Sequence, residues 1–140
     1  MERPFLAFDL GKKRIGVALV NRTSIITPLP TLWVSGPFEP FWKKHLLRLL
    51  DTYLPKGLLV GLPFQPNGEP SEQTRWVEHI IASMREWTML PLDTINELLT
   101  SVEAHERLHE LGLPQKKHKL YVDSVAAMIL AESYLHKLKA

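Results

Sequence analysis

The sequence predicts an α/β fold in which a mixed sheet of five strands carries helices on both faces. The run 5–8 is apolar at every position, which is typical of a strand covered on both faces. Three short runs joined by turns open the chain and indicate an antiparallel meander. From residue 38 onward, helical spacing alternates with short apolar runs, which adds two further strands. The chain of 140 residues has the length of one ordinary domain, so we expect a single domain over 1–140.

Each expected strand is a short apolar run bounded by glycine, proline or polar turn residues. The first two strands form a hairpin across the tight basic turn 11–14, and the first run ends on Asp9. The third strand is expected to stop at Pro28 and Pro30, because proline has no backbone N–H for the sheet. The five expected strands span 5–8, 15–20, 24–27, 58–60 and 90–95.

The expected helices follow apolar stripes at helical spacing and have capping residues at their ends. Ser71 is a good N-cap for the second helix. Thr100 and Glu103 form a capping box for the third helix, and Gly112 stands just past its end. On the last helix, Asp123 shares a face with small and apolar residues, so we expect that face to pack on the sheet. The helices span 38–53, 72–87 and 100–111, and the last runs from near residue 122 towards the C-terminus.

The composition is that of an ordinary globular protein, with 45% apolar and 23% charged residues. The chain has no cysteine, which excludes a disulfide framework and a thiolate metal site. Its apolar runs fall short of the roughly 20 residues that cross a bilayer, and no signal peptide is evident, so we expect a cytoplasmic protein.

The net charge of +2 does not by itself indicate a nucleic-acid partner. Its distribution is more informative, because two basic clusters are candidates for binding phosphates, with a solvated surface as the alternative. The candidate residues are Lys12, Lys13, Arg14, Lys116, Lys117 and Lys119.

Three acids stand where an apolar element meets its end: Asp9, Glu97 and Asp123. Each has an ordinary alternative, because Asp9 could bond the turn amides, Glu97 could be a solvated loop acid, and Asp123 could cap the last helix. As a set they favour a functional site, since sites in α/β sheets form at the carboxyl ends of strands. Oxygen ligands without histidine or cysteine suit Mg²⁺ or Mn²⁺. Two such ions bridged by carboxylates form the usual clamp for phosphodiester displacement.

Four stretches, in order, resemble the YqgF-like family over essentially the whole chain. Residues 9–18 resemble its opening D-x-G-x-K-R-I-G-V-A signature. Residues 60–63, followed by Asn67 and Gly68, resemble its V-G-L-P segment with the N-G or D-G turn. Residues 96–104 resemble its D-E-R-L-T-[TS]-x-E-A stretch, and the closing V-D-x-x-A-A helix is matched by Val122-Asp123-Ser124-Val125-Ala126-Ala127.

The resemblance implies a ribonuclease H-like fold, in which three acids hold two Mg²⁺ ions. Carried over by motif, the catalytic and metal-binding residues are Asp9, Glu97 and Asp123. Two positions depart from the family pattern, since Asn96 stands where an acid is usual and Leu98 where an arginine is usual. Asn96 can supply a carbonyl ligand or a hydrogen bond but no charge.

The expected function is that of a metal-dependent nuclease acting on structured nucleic acid, most specifically precursor 16S ribosomal RNA. One alternative is a Holliday-junction resolvase, which needs a symmetric dimer to cut two strands. The other is a non-catalytic RNA-binding assembly factor on the same fold, which the departures at Asn96 and Leu98 leave open. The four tryptophans, Trp33, Trp42, Trp76 and Trp87, are expected in the core or on the surface, with a base-stacking platform as the alternative.

Overall fold

The computed structural model describes residues 1–97 and 118–139, and in that part of the chain five strands form one mixed sheet. The strand order is β3-β2-β1-β4-β5, with antiparallel pairing among β1, β2 and β3 and parallel pairing of β1 with β4 and of β4 with β5. The predicted mixed sheet with an antiparallel meander is therefore confirmed. The elements are β1 Phe5–Leu10, β2 Arg14–Val20, β3 Ile26–Trp33, α1 Phe38–Tyr53, β4 Gly57–Leu62, α2 Glu72–Trp87, β5 Leu92–Asn96 and α3 His118–Lys139.

Helices cover both faces of the sheet, as predicted, because the central strands are apolar at successive positions. On β1, Phe5 and Ala7 pack towards α3, whereas Leu6 and Phe8 pack towards α1 and α2. Trp42 of α1 is fully buried and meets Phe8 edge to face, with ring centroids 5.0 Å apart. Because Asp9 follows the same alternation as Ala7, its side chain belongs to the α3 face.

The third strand runs through both of its prolines, so the prediction that it stops at Pro28 was wrong. Pro28 lies opposite Ala18, and the register between β2 and β3 shifts between Ile15 and Val17. β3 is an edge strand, and a residue without an N–H loses no sheet hydrogen bond on the outer side of an edge. The sequence pattern alone did not reveal which strand would lie at the edge.

The first two helices have the predicted bounds, whereas the last helix begins at His118, four residues before the expected start. Asp123 therefore lies inside α3, and the interpretation of Asp123 as a helix cap was wrong. The ends of β4 and β5 differ from the prediction by one or two residues, which is the usual scatter for element ends. The helix expected over 100–111 lies outside the described residues. None of the helices that the structure describes is long and apolar enough to cross a membrane.

Candidate active site

The predicted acids come from three elements that meet on the α3 face of the sheet. Asp9 is the penultimate residue of β1, Glu97 directly follows β5, and Asp123 lies in α3. Strands β1, β4 and β5 are parallel, so their carboxyl ends share one edge of the sheet. Helix α3 packs across β1, β2 and β3, which places its sixth residue, Asp123, over the hairpin. The topology therefore puts these acids at the edge where α/β sheets form sites.

Asp9 and Glu97 are joined by a hydrogen bond between their side chains. Burial raises the pKa of Glu97 to about 7, and the charge and hydrogen bond of Asp9 add to the rise. Burial also raises the pKa of Asp9; the hydrogen bond from Glu97 lowers it, and the negative charge of Asp123 raises it. Glu97 is thus the member of the pair that holds a proton and donates it to the Asp9 carboxylate. This contact explains Asp9 better than a turn acid does, because its partner lies 88 positions away in the sequence.

Asp123 is fixed by its backbone as well as by its charge. A Cβ atom on Gly16 would lie 1.9 Å from the Asp123 carbonyl oxygen, so β2 and α3 approach closely only because position 16 has no side chain. Asp9 lies opposite Gly16 in the β1–β2 ladder, which brings the two acids into the same neighbourhood. The Asp123 carboxylate lies 3.6 Å from Nε of Arg14, which is an ion pair longer than a hydrogen bond. Its Oδ2 atom is buried and has no hydrogen-bond partner.

Ser124, the next residue of α3, locks the helix onto the sheet. The Ser124 hydroxyl accepts a hydrogen bond from the Val17 backbone N–H at 3.1 Å and donates one to the Leu29 carbonyl oxygen. Val17 and Leu29 pair where the β2–β3 register shifts. Ser124 is fully buried, so its hydroxyl satisfies two backbone groups at an irregular point of the sheet. Sequence reasoning missed this role, because no short motif links residues 107 positions apart.

Gly61 of β4 makes room for the carboxylate of Glu97. A Cβ atom on Gly61 would lie 2.8 Å from Oε1 of Glu97 and 2.6 Å from Cδ1 of Leu130. The glycine therefore lets Glu97 lie over β4 while the α3 side chain Leu130 packs beside it. Here the sequence offered a usable signal, since a glycine within an otherwise apolar strand often marks a close approach.

The acids have the ligand chemistry of a divalent metal site, but they are not arranged around a single ion position. Carboxylate oxygens are the ligands that Mg²⁺ and Mn²⁺ prefer, and the buried Oδ2 of Asp123 accepts no hydrogen bond, its contact being the 3.6 Å ion pair with Arg14. Within residues 1–97 and 118–139, no group of three or more Asp, Glu, His or Cys side chains is placed to hold one ion. The Asp9–Glu97 hydrogen bond and the Arg14–Asp123 ion pair instead satisfy these acids. The residues fit a metal in their chemistry, and these contacts are the ones that an ion would have to replace.

The predicted basic cluster at the hairpin turn is exposed, and two of its members rest on tryptophans. The Lys12 ammonium lies 5.6 Å from the ring centroid of Trp76, and the Arg14 guanidinium lies 5.4 Å from that of Trp33. Lys13 is exposed beside them. The second predicted cluster falls outside the described part of the chain, which includes neither Lys116 and Lys117 nor the side chain of Lys119.

The sheet order is that of the ribonuclease H-like fold, and the family match places the chain in a class of nucleases with this fold. The chain belongs to the RuvX family, which is the YqgF-like family that its motifs resemble; the family model is described as "Holliday junction resolvase" and matches residues 3–137. A relative from Oleidesulfovibrio alaskensis is 33% identical over 133 residues, covering 94% of this chain and 91% of the relative. A relative from Chloroflexus aurantiacus is 34% identical over 131 residues, which cover 93% of this chain and 84% of the relative. Both are provisionally named pre-16S rRNA nucleases.

Solved structures of two resolvases share the fold. Thermus thermophilus RuvC superposes with a TM-score of 0.64 at 15% identity and covers 96% of this chain and 95% of its own. The fowlpox virus Holliday junction resolvase superposes with a TM-score of 0.52 at 15% identity, and the match covers 95% of this chain and 98% of the viral chain. At these identities the likeness shows the fold alone. It confirms the predicted ribonuclease H-like architecture.

Proposed function

We propose that this protein is a metal-dependent nuclease that processes precursor 16S ribosomal RNA in the cytoplasm, with residues 1–140 acting as one domain. The observation that carries the proposal is the pair Asp9 and Glu97, which share a proton at the carboxyl edge of the sheet with Asp123 nearby. Clustered acids with raised pKa values cost stability in the absence of a ligand, and such groups concentrate at functional sites. The choice of RNA follows the names of the relatives.

We assign Asp9, Glu97 and Asp123 as the residues that hold Mg²⁺ or Mn²⁺. When bound, a pair of such ions supplies an activated water and stabilises the leaving oxygen. Asp9 and Glu97 bind as carboxylates, so Glu97 must give up its proton to the solvent. Arg14 orients Asp123 in the metal-free protein through their ion pair. The exposed Lys12 and Lys13 lie in the hairpin turn that follows β1, and we assign them to binding backbone phosphates of the substrate.

A Holliday-junction resolvase is the second candidate, and the description of the matching family model favours it. Cutting two strands of a junction symmetrically requires two copies of the site related by a twofold axis. The substrates are best separated by offering precursor 16S rRNA and a four-way DNA junction side by side, with Mg²⁺ and with Mn²⁺. Selective cleavage of the RNA supports the proposal, whereas selective cleavage of the junction by a dimer supports the second candidate.

A non-catalytic assembly factor is separated from a nuclease by the variant Asp9→Asn. The substitution keeps the shape of the side chain and removes a charged ligand, so we expect cleavage to fall by orders of magnitude. RNA affinity measured with a chelator should change little, because phosphates are bound by the basic residues. A wild type that binds RNA tightly yet cleaves no faster than Asp9→Asn would contradict the nuclease assignment.

The contribution of the hairpin turn is measured with the double variant Lys12→Ala/Lys13→Ala. Arg14 is left in place, because its ion pair with Asp123 would confound the result. We expect weaker RNA binding and a shallower dependence of affinity on salt, by about one unit of slope for each phosphate that is no longer bound. As a control, Lys43→Ala and Lys44→Ala remove the same charge from exposed positions on α1, on the other face of the sheet. An unchanged salt slope in the turn variant would remove these lysines from the interface.

A further inference from the structure

We infer that Trp33 and Arg14 form a stacking platform that receives an unpaired nucleotide next to the candidate active site. The inference rests on the proposed nuclease function and names the class of substrate, a nucleic acid with an unpaired base beside the cleaved phosphate. It begins from an unusual exposure, since 53% of Trp33 is open to solvent whereas Trp42 is completely buried.

Trp33 is connected to the site by a chain of contacts. It lies opposite Arg14 in the β2–β3 ladder, and paired residues of antiparallel strands project from the same face. The Arg14 guanidinium lies 5.4 Å from the Trp33 ring centroid, and Arg14 Nε lies 3.6 Å from the Asp123 carboxylate. The indole is thus two contacts away from one of the three assigned acids.

The platform is held rigidly at its base. The backbone N–H of Val34 donates a 2.9 Å hydrogen bond to the Lys13 carbonyl, which ties the chain just beyond Trp33 to the hairpin turn. The turn is itself closed by a 3.0 Å hydrogen bond from the Gly11 N–H to the Arg14 carbonyl. A rigid aromatic side chain loses little conformational freedom when a ligand stacks on it.

The chemistry of the pair suits a nucleobase better than a protein partner. An indole offers its π-face to any base, and a guanidinium beside it adds cation–π attraction and a donor for phosphate oxygens. Inside a duplex both faces of a base are covered by its neighbours, so away from the duplex ends only an unpaired or extruded base can stack on the indole. The edge strand that carries Trp33 also contains Pro28 and Pro30, which oppose pairing with a strand of another protein.

The second tryptophan that contacts a cation lacks these properties. Trp76 packs edge to face against Phe38, with ring centroids 4.8 Å apart, and belongs to the core on the α1 and α2 face. Trp33 is therefore the tryptophan that combines open surface with a contact chain to the acids.

The test measures binding without cleavage, using the full chain in the presence of a chelator. The probes are a single-stranded oligoribonucleotide and a blunt duplex of the same sequence, at one salt concentration. Trp33→Leu keeps an apolar side chain and removes the π-face, so we expect its affinity for the single strand to fall about 5- to 150-fold. Its affinity for the duplex should stay at the wild-type value. Trp33→Phe should retain most of the single-strand affinity.

A stacking signal distinguishes the platform from a structural role of Trp33. A 2-aminopurine placed in the single strand should lose fluorescence on binding wild type and Trp33→Phe, but not on binding Trp33→Leu. Met89→Ala is the control, because Met89 is 99% exposed. It precedes β5 and so lies at the amino end of that strand, whereas the acids lie at the carboxyl ends of the strands. It should behave as wild type in both assays.

Two results would overturn the inference. The first is a Trp33→Leu protein that circular dichroism shows to be folded and that binds the single strand and quenches its 2-aminopurine fluorescence as wild type does. The second is a wild-type dimer that dissociates in Trp33→Leu, which would make the indole a contact between copies of the chain. The nuclease function is judged separately by cleavage, so quenching on Trp33 in a protein that cleaves nothing would retain the platform and reject the nuclease.

Discussion

Replacing Glu97 by glutamine should stabilise the metal-free protein at alkaline pH. Glutamine has the shape of the glutamic acid side chain and keeps a donor for the Asp9 carboxylate, but it cannot ionise. In the wild type the pKa of Glu97 is raised from 4.5 to about 7. Between these values the folded protein binds more protons than the unfolded chain, so the free energy of unfolding falls as pH rises through this window.

The magnitude follows from the pKa. Ionising Glu97 above its folded pKa costs at most about 3.5 kcal/mol, since each pH unit between the two pKa values is worth about 1.4 kcal/mol. Glu97 is only partly buried, and solvent screening reduces this to about 1–3 kcal/mol. At about pH 8 the Glu97→Gln variant should therefore melt higher than the wild type by roughly 3–10 °C. At about pH 3.5, below both pKa values, the two proteins should melt together, because the wild-type Glu97 is then protonated in both the folded and the unfolded state.

The assay is thermal melting by circular dichroism in a chelating buffer from about pH 3.5 to about pH 8. Glu78→Gln is the matched control, because it makes the same substitution at an exposed position of α2 on the other face of the sheet. The stability of Glu78→Gln should stay at the wild-type value at every pH, within the scatter of surface substitutions, which is about 0.5 kcal/mol in the free energy of unfolding. The reasoning is refuted if the difference between Glu97→Gln and wild type does not grow with pH, or if the variant is less stable at every pH.

Two further predictions concern the contacts that hold α3 on the sheet. Ser124→Ala leaves the N–H of Val17 and the carbonyl of Leu29 without their buried partner. Denaturant unfolding should therefore show a free energy of unfolding that is lower by about 1–3 kcal/mol. A decrease smaller than the scatter of surface variants would contradict the bridging role of Ser124. Gly16→Ala places a Cβ atom 1.9 Å from the Asp123 carbonyl oxygen, so the helix must shift. We expect Gly16→Ala to lower both the melting temperature and cleavage, and normal values of both would show that β2 and α3 can separate at no cost.

The sequence predicted the elements that local patterns define. The bounds of α1 and α2 followed from apolar stripes and from Ser71, whose side chain does accept the Thr74 N–H. The extent of β3 was missed, because proline is excluded from central strands but tolerated at an edge, and edge position is a property of the whole sheet. The predicted start of α3, near residue 122, is later than the observed one at His118. The prediction relied on the helix face that carries Asp123, and the residues before it contain no capping signal.

The candidate site was predictable in its residue types and not in its contacts. Asp9, Glu97 and Asp123 stand out because acids are costly at the ends of apolar elements, and that local signal was enough to group them. Whether two of them share a proton depends on distances across the sheet, as does the pairing of Arg14 with Trp33. Local periodicity contains no information on such contacts.

The charge balance of the metal-free protein explains how the fold tolerates the pair Asp9 and Glu97 with a third acid, Asp123, nearby. Glu97 holds its proton near neutral pH and donates a hydrogen bond to Asp9, while Arg14 offsets the charge of Asp123. A metal held by these acids, as proposed, would replace the Glu97 proton and the Arg14 ion pair, which are the contacts that balance the acids' charge in the metal-free protein. Binding of Mg²⁺ should consequently strengthen as pH rises through about 7, because the ion competes with the proton on Glu97. Glu97→Gln should lose this pH dependence together with most of its Mg²⁺ affinity, a combination that calorimetric titration can measure and that a purely structural glutamate would not produce.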